Sequence, residues 1–346
     1  MKEIHIRTVG RAGRITIRRP EALNALTHRM IPAIGAALDD WAANENVDLV
    51  IIDAQGEKAF CAGGDIAVMY NAGKNGDFEF GRRFWRDEYR LNSRLAGYTK
   101  PIVSLMQGFV MGGGVGLGCH ASHRIVGNSS RVAMPECGIG LVPDVGGSLI
   151  LAKAPGRLGE YLALTSARMG PGDAIHAGFA DRYIPESSWP PLVAALEDSG
   201  DLSLVEAAAC PSPESRMMAA QAEIDRLFSD SSLVDILHRL EMSATSLATD
   251  AAKAMGRNSP LSMACALELL NRVRANPKIH NALRQEYRFT SRASEHGDFM
   301  EGIRARIIDK DHSPEWMHDP ETVTPRDVTA LLAPLGNAEL ILEETS

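Results

Sequence analysis

The stretches MGGGVGLG at 111–118 and MPECGIGLVPDVGG at 134–147 decide how this chain is read. The first removes Cβ atoms from Gly112, Gly113 and Gly114, so a ligand can approach the backbone and positive φ angles meet no steric penalty. Just upstream, the apolar and partly β-branched run Pro101 to Met106 reads as a buried strand, and Val115 to Ala121 is apolar enough to begin a helix. A strand feeding a glycine turn at a helix N-terminus gathers free N–H groups and the positive end of a helix dipole, which favours negative charge there. That charge is either a phosphate or a carbonyl oxygen becoming an oxyanion. No Lys-Ser or Lys-Thr pair follows the glycines, which excludes a P-loop, and no GxGxxG turn with an acid about 20 residues later supports a dinucleotide fold.

A second turn, FCAGGDI at 60–66, follows the apolar stretch Val47 to Asp53, another buried strand. Gly63 and Gly64 again bare the backbone, and Asp65 stands where it would cap the following helix. Alone, Gly-Gly-Asp is a common turn. Two such turns, each supplying one N–H to a single oxygen, make the minimum oxyanion hole. Two acids lie downstream in the second motif. Glu136 sits among Met134, Pro135, Cys137, Gly138 and Ile139, an apolar setting that raises a carboxyl pKa. Asp144, between Pro143 and Val145, would need a partner if buried.

FCAGGDI, PIVSLMQGFVMGGGVGLG (101–118) and MPECGIGLVPDVGGSLILAKAPG (134–156) resemble the enoyl-CoA hydratase/isomerase (crotonase) superfamily. EALNALT at 21–27 is similar as well. RDEYRLN at 86–92, PDVGG at 143–147 and EYRFTSRASEHGDFMEGIRARIIDKDHSPEW at 286–316 narrow the resemblance to the 3-hydroxyisobutyryl-CoA hydrolases, over about residues 3–318. The resemblance implies oxyanion N–H groups at Gly64 and Gly113, with Gly63, Gly112 and Asp65 beside them. It implies that Glu136 acts on a coenzyme A thioester, that Asp144 meets the 3-hydroxyl group of the acyl chain, and that Glu88 lines the substrate pocket. Hydratases of the superfamily carry a glutamate at the second position after the glycine triplet. Gly116 stands there in this chain, which argues for hydrolysis. Oxyanion donors are each worth roughly 3–4 kcal/mol of transition-state stabilisation, and acid/base assistance on the order of 10² to 10⁴ in rate. Both turns should therefore weigh as heavily as the acid. An enoyl-CoA hydratase or isomerase, and a silent acyl-CoA-binding protein, are the competing readings.

The expected substrate is an acyl-CoA; coenzyme A is part of it, and neither a separate cofactor nor a metal is expected. His120 and His123 are read as structural residues on one face of the helix after the triplet. The five cysteines, at 61, 119, 137, 210 and 265, form no CxxC pair and are read as packing residues. The arginines at 7, 11, 14, 18 and 19 are assigned to a solvated N-terminal hairpin, and Arg82, Arg83 and Arg86 to surface pairing. At 346 residues, 45% hydrophobic and 23% charged, the chain has a globular composition. A net charge of −8 with no basic patch beyond that hairpin gives no footprint for nucleic acid. No signal h-region or membrane-length apolar span is seen, so no membrane is expected and a bacterial cytoplasm is the predicted compartment.

Short apolar strands alternate with helices up to about residue 185: Glu3 to Thr8, Arg14 to Ile17, a helix from His28 to Asn44, Val47 to Asp53, Pro101 to Gly108, Arg124 to Gly127 and Ala180 to Ile184. This β-β-α order predicts an α/β core of stacked turns rather than two separate sheets, and the resemblance implies a crotonase-like spiral of such units. After PESSWPP at 185–191 the pattern is helical: Glu214 to Phe228, Leu233 to Met242, Ser246 to Met255, Leu261 to Arg274 and Ile279 to Ala293. Residues 1–190 are thus expected to form the α/β core with the active site, and 191–346 a helical C-terminal region packed on it. A homo-oligomer is an open expectation, because superfamily members associate through C-terminal helices whereas this longer tail can fold back over that surface.

Overall fold

A computed structural model describes residues 2–342. Nine strands form among the described residues: β1 (Ile4–Val9), β2 (Ala12–Ile17), β3 (Leu49–Ala54), β4 (Ala59–Cys61), β5 (Ile102–Met106), β6 (Phe109–Met111), β7 (His123–Val126), β8 (Arg131–Ala133) and β9 (Arg182–Tyr183). They are divided between two sheets, a six-stranded one ordered β1-β2-β3-β5-β7-β9 and a three-stranded one ordered β4-β6-β8. The expectation of stacked turns without a second sheet is corrected here. Apart from the antiparallel β1–β2 hairpin, the strand pairs are parallel. Each turn of the spiral lays a strand in the large sheet, bends, and lays a shorter one in the small sheet. Gly108 makes one such bend with φ of 57°, and a Cβ there would overlap the Lys58 carbonyl.

The helices of the first half are α1 (Met30–Ala42), α2 (Ile66–Lys74), α3 (Phe78–Ala96), α4 (Gly113–Gly118), α5 (Gly147–Lys153), α6 (Leu158–Thr165) and α7 (Pro171–His176). The second half adds α8 (Trp189–Ser199), α9 (Ser203–Ala208), α10 (Arg216–Ala219), α11 (Gln221–Leu227), α12 (Leu233–Glu241), α13 (Ser246–Met255), α14 (Pro260–Ala275), α15 (Ile279–His296), α16 (Phe299–Ile303) and α17 (Pro325–Leu332). The predicted helix over 214–228 is divided at Ala220 into α10 and α11. Asp173 of α7 accepts hydrogen bonds from Ser215 Oγ and Met217 N, and so sets the entry of α10 separately.

The central strands are buried on both faces, as parallel strands covered by helices must be. Leu49, Ile51, Val103, Leu105 and Ile125 pack against Trp189, Leu192, Val193 and Leu196 of α8, whereas Val50, Ile52 and Ile102 face the main core. Within the Pro-rich joint at 185–191, Trp189 is the buried anchor: its Nε1–H donates to the Ile184 carbonyl at 2.9 Å. On the other side α15 lies along α3, and α14 along α5. One apolar cluster runs from Ile4 to Leu342.

Three of the five N-terminal arginines are ion-paired rather than merely solvated. Arg14 meets Asp53 at 2.6 Å and Glu197 at 2.8 Å, Arg11 meets Asp48 at 2.6 Å, and Arg19 bridges Glu3 and Asp65. Partners from β3, α8 and the Gly63–Gly64 turn reach this hairpin only in three dimensions.

Candidate active site

The two glycine turns face one another across the end of the small sheet. Gly63 takes φ of 115° and Gly112 φ of 48°, a region that favours glycine. The first turn is held by the Leu26 segment: Leu26 N–H donates to Gly63 O at 2.8 Å and Asp65 N–H to Leu26 O at 2.9 Å. Gly64 N–H, between them, has no acceptor among the described residues. Gly113 is the first residue of α4, where an N–H has no partner within the helix, and it too finds no acceptor among the described residues. A Cβ built on Gly113 would stand 3.5 Å from Gly64 N, so the two free donors border one small space. A Cβ on Gly114 would overlap the Cys61 carbonyl oxygen, which is how closely the turns are packed.

Two carboxyl groups border the same space. Glu136 Oε1 lies 3.2 Å from the Cβ position of Gly112, and Glu88 Oε1 lies 2.6 Å from that of Gly113. Glu136 opens a short 3-10 turn, Glu136–Ile139, entered through Pro135 and closed by Leu141 N–H donating to its carbonyl at 3.0 Å. Glu88 is carried by α3, whose N-cap Asp77 accepts from Phe80 N–H at 3.1 Å. Glu136 Oε2 and Glu88 Oε1 are buried without a hydrogen-bond partner among the described residues. Burial foremost, and then the neighbouring Asp144, pushes the pKa of both well above the usual carboxyl range.

Asp144 is buried and accepts a hydrogen bond from the Tyr89 hydroxyl at 2.6 Å. Burial outweighs that bond and pushes its pKa up to about 7. The following turn is strained, since the β-branched Val145 has φ of 54°. Two groups fix it. His120 Nε2 lies 2.7 Å from the Val145 carbonyl, and because a carbonyl only accepts, that nitrogen carries the hydrogen. Glu286 of α15 accepts from Gly146 N at 2.8 Å, from Ser148 N at 3.2 Å and from the Ser148 hydroxyl. It thereby clasps the N-terminus of α5, where negative charge is favoured. Burial still moves Glu286 up to about 8 and His120 down to about 4.

The structure thus brings together five of the expected residues, Gly64, Gly113, Glu88, Glu136 and Asp144, with Gly63 and Gly112 as the turn-forming positions. Asp65 is different. It occupies the N-cap of α2, but its side chain makes no cap hydrogen bond and instead meets Arg19 at 3.0 Å. His120 and His123 do not share a helix face, because α4 ends at Gly118 and His123 begins β7. Cys61 and Cys137 are buried, with thiol pKa raised by desolvation, as packing residues are. Tyr89 and Glu286 lay unassigned inside quoted motifs; no local spacing connects them with Asp144 or Gly146.

Free N–H donors beside protonatable acids can stabilise an oxyanion and move protons next to it. Comparison with known proteins agrees with an acyl-CoA enzyme. The enoyl-CoA hydratase/isomerase family model matches residues 12–332. The mitochondrial 3-hydroxyisobutyryl-CoA hydrolase of Danio rerio is 38% identical over 325 residues, which cover 91% of this chain and 85% of that protein. A crystal structure described as an enoyl-CoA hydratase from Rhodobacter sphaeroides is 59% identical, with a TM-score of 0.95 over 98% of this chain and 100% of that one. One described as a carnitinyl-CoA dehydratase from Mycobacterium thermoresistibile is 37% identical, also with a TM-score of 0.95, over 100% of both chains. No helix among the described residues is long and apolar enough to cross a membrane. With a family model matched over nearly its whole length and a fold shared with that of its relatives, the chain belongs to the enoyl-CoA hydratase/isomerase (crotonase) family of acyl-CoA enzymes.

Proposed function

We propose that the chain hydrolyses a 3-hydroxyacyl-CoA thioester, with 3-hydroxyisobutyryl-CoA as the substrate and 3-hydroxyisobutyrate and free coenzyme A as products. The observation that carries this reading is the distribution of acids. Position 116, one turn into α4, is glycine, while Asp144 is buried next to the Glu136 site. Hydration of a double bond needs two acid/base groups about one water, whereas thioester hydrolysis needs an oxyanion site and one carboxylate. The similarity to the Danio rerio hydrolase supports the same assignment.

In this reading Gly64 and Gly113 N–H receive the thioester oxygen. Glu136 acts by one of two balanced routes. Its carboxylate attacks the carbonyl carbon, the C–S bond breaks, the thiolate takes a proton, and water opens the resulting anhydride. Alternatively it removes a proton from a water that attacks, and the thiolate leaves with that proton. Asp144, held by Tyr89, and Glu88 receive the hydroxyl end of the acyl chain. The name of the Rhodobacter sphaeroides structure favours hydration instead, and one experiment separates the two.

That experiment measures thiol release from 3-hydroxyisobutyryl-CoA beside hydration of crotonyl-CoA, for the wild type and Glu136→Gln. The expected result is thiol release without hydration, reduced by on the order of 10² to 10⁴ in the variant. Hydration without thiol release would replace this reading by a hydratase. A single turnover in ¹⁸O-water that leaves label in the Glu136 carboxylate identifies attack by Glu136, with water opening the anhydride at the Glu136 carbonyl, because the general-base route places the label only in the product acid.

A further inference from the structure

We propose that Asn92 is a specificity-determining residue that hydrogen-bonds the polar substituent of the acyl chain beyond the thioester. Asn92 lies one turn after Glu88 on α3 and is fully buried. Neither its Oδ1 nor its Nδ2 has a hydrogen-bond partner among the described residues. Buried amides in folded proteins are nearly always satisfied, and an unsatisfied one weakens folding unless a ligand completes it. The amide is aimed at Gly116. A Cβ built there would fall 2.6 Å from Nδ2 and 3.0 Å from Val145 Cβ, so it occupies the space that a side chain at 116 would fill, beside the residue that follows Asp144.

The two helices run as matched rails. Glu88 reaches Gly113, and Asn92 reaches Gly116, one turn further along α4. At 1.5 Å per residue that step is about 4.5 Å. It is comparable with the reach from a thioester oxygen to a hydroxyl on the third carbon. A substrate whose carbonyl oxygen sits at the Gly113 N–H therefore presents a 3-hydroxyl to the Asn92 amide from one side and to Asp144 from another. The amide can donate to that oxygen through Nδ2 or accept its proton through Oδ1, whichever role Asp144 leaves open.

This inference rests on the 3-hydroxyacyl reading above, and its test separates the two. Full-length Asn92→Leu, similar in size and unable to hydrogen-bond, and Asn92→Ala, which cannot overfill the site, are compared with wild type on 3-hydroxyisobutyryl-CoA and on isobutyryl-CoA. The latter has the same carbon skeleton without the hydroxyl. Thiol release gives kcat and KM for each, and calorimetry in a Glu136→Gln background gives the two affinities without turnover. The expected result is a fall in the kcat/KM preference for the hydroxylated thioester on the order of 10- to 100-fold, with the affinity ratio falling the same way. Equal losses on both thioesters, an unchanged ratio, or a lowered melting temperature with an unchanged ratio would overturn the assignment. A wild type that releases thiol from neither compound sinks the hydrolase reading, and the affinity ratio alone then decides the role of Asn92.

Discussion

Replacing Gly113 by alanine puts a methyl group 2.6 Å from Glu88 Oε1 and 3.5 Å from Gly64 N, inside the space bordered by both free donors. Glu88 is clashed with only at the end of its side chain, which can move aside, so folding should be little affected. The oxyanion position is obstructed instead, and kcat for thiol release should fall by about 10² to 10³, the effect of losing one donor. Rates measured beside a thermal melt check both halves; a folded Gly113→Ala with undiminished kcat removes Gly113 from its assigned role. At this scale the sequence was informative where chemistry leaves a local mark, as in consecutive glycines or an acid among apolar residues. It was silent about Tyr89 and Glu286, which reach Asp144 and Gly146 across 55 and 140 positions. It misled on Asp65, whose cap position is real but whose carboxylate is drawn to Arg19.

The elements that support the site are also held together by a buried charge pair. Glu160 of α6 receives both arms of Arg274 from α14, at 2.6 and 2.7 Å, and Arg157 at 2.7 Å. These arginines hold its carboxyl below its usual range despite burial. Glu160→Ala leaves Arg274 unpaired between two packed helices. Because that guanidinium keeps some solvent contact, the loss should lie near the lower end of the range for broken buried pairs, about 3 kcal/mol, read from denaturant midpoints. Elements were legible in proportion to length. The long strands β1, β2, β3, β5 and β7 and the helices α1 and α12 to α15 follow their apolar periodicity to within a few residues. The strands β4, β6 and β8 have three residues each, too short for a period of two to repeat, so the second sheet was missed.

For the whole molecule, the buried acids set the response to pH. Glu286 moves up to about 8 and Asp144 to about 7, whereas His120 moves down to about 4. A raised carboxyl keeps its proton in the folded state where the unfolded chain has released it, so these acids weaken folding as pH rises through that window. The histidine works in the opposite sense, strengthening folding as pH rises from about 4 to its ordinary 6.5, and contributes no further change above that. Between pH 6.5 and 8 His120 no longer offsets the acids, and the melting temperature should fall with a slope that Glu286→Gln reduces. A wild-type melting temperature that is flat or rises over that window would contradict the burial of these groups as ionisable acids.

The same cluster alters what the protein is as an electrolyte. A formal charge of −8 counts every carboxyl as ionised. Glu88, Glu136, Asp144 and Glu286 all retain protons above their ordinary range, whereas His120 and His5 give theirs up early. The acids whose pKa is lowered by arginine are ionised near neutrality in either state and cancel from the comparison. The native molecule is therefore less anionic than its sequence, with a higher isoelectric point folded than unfolded. Its unfolding near neutrality releases those protons and so takes up hydroxide that a titration of the native state to the same pH would not consume.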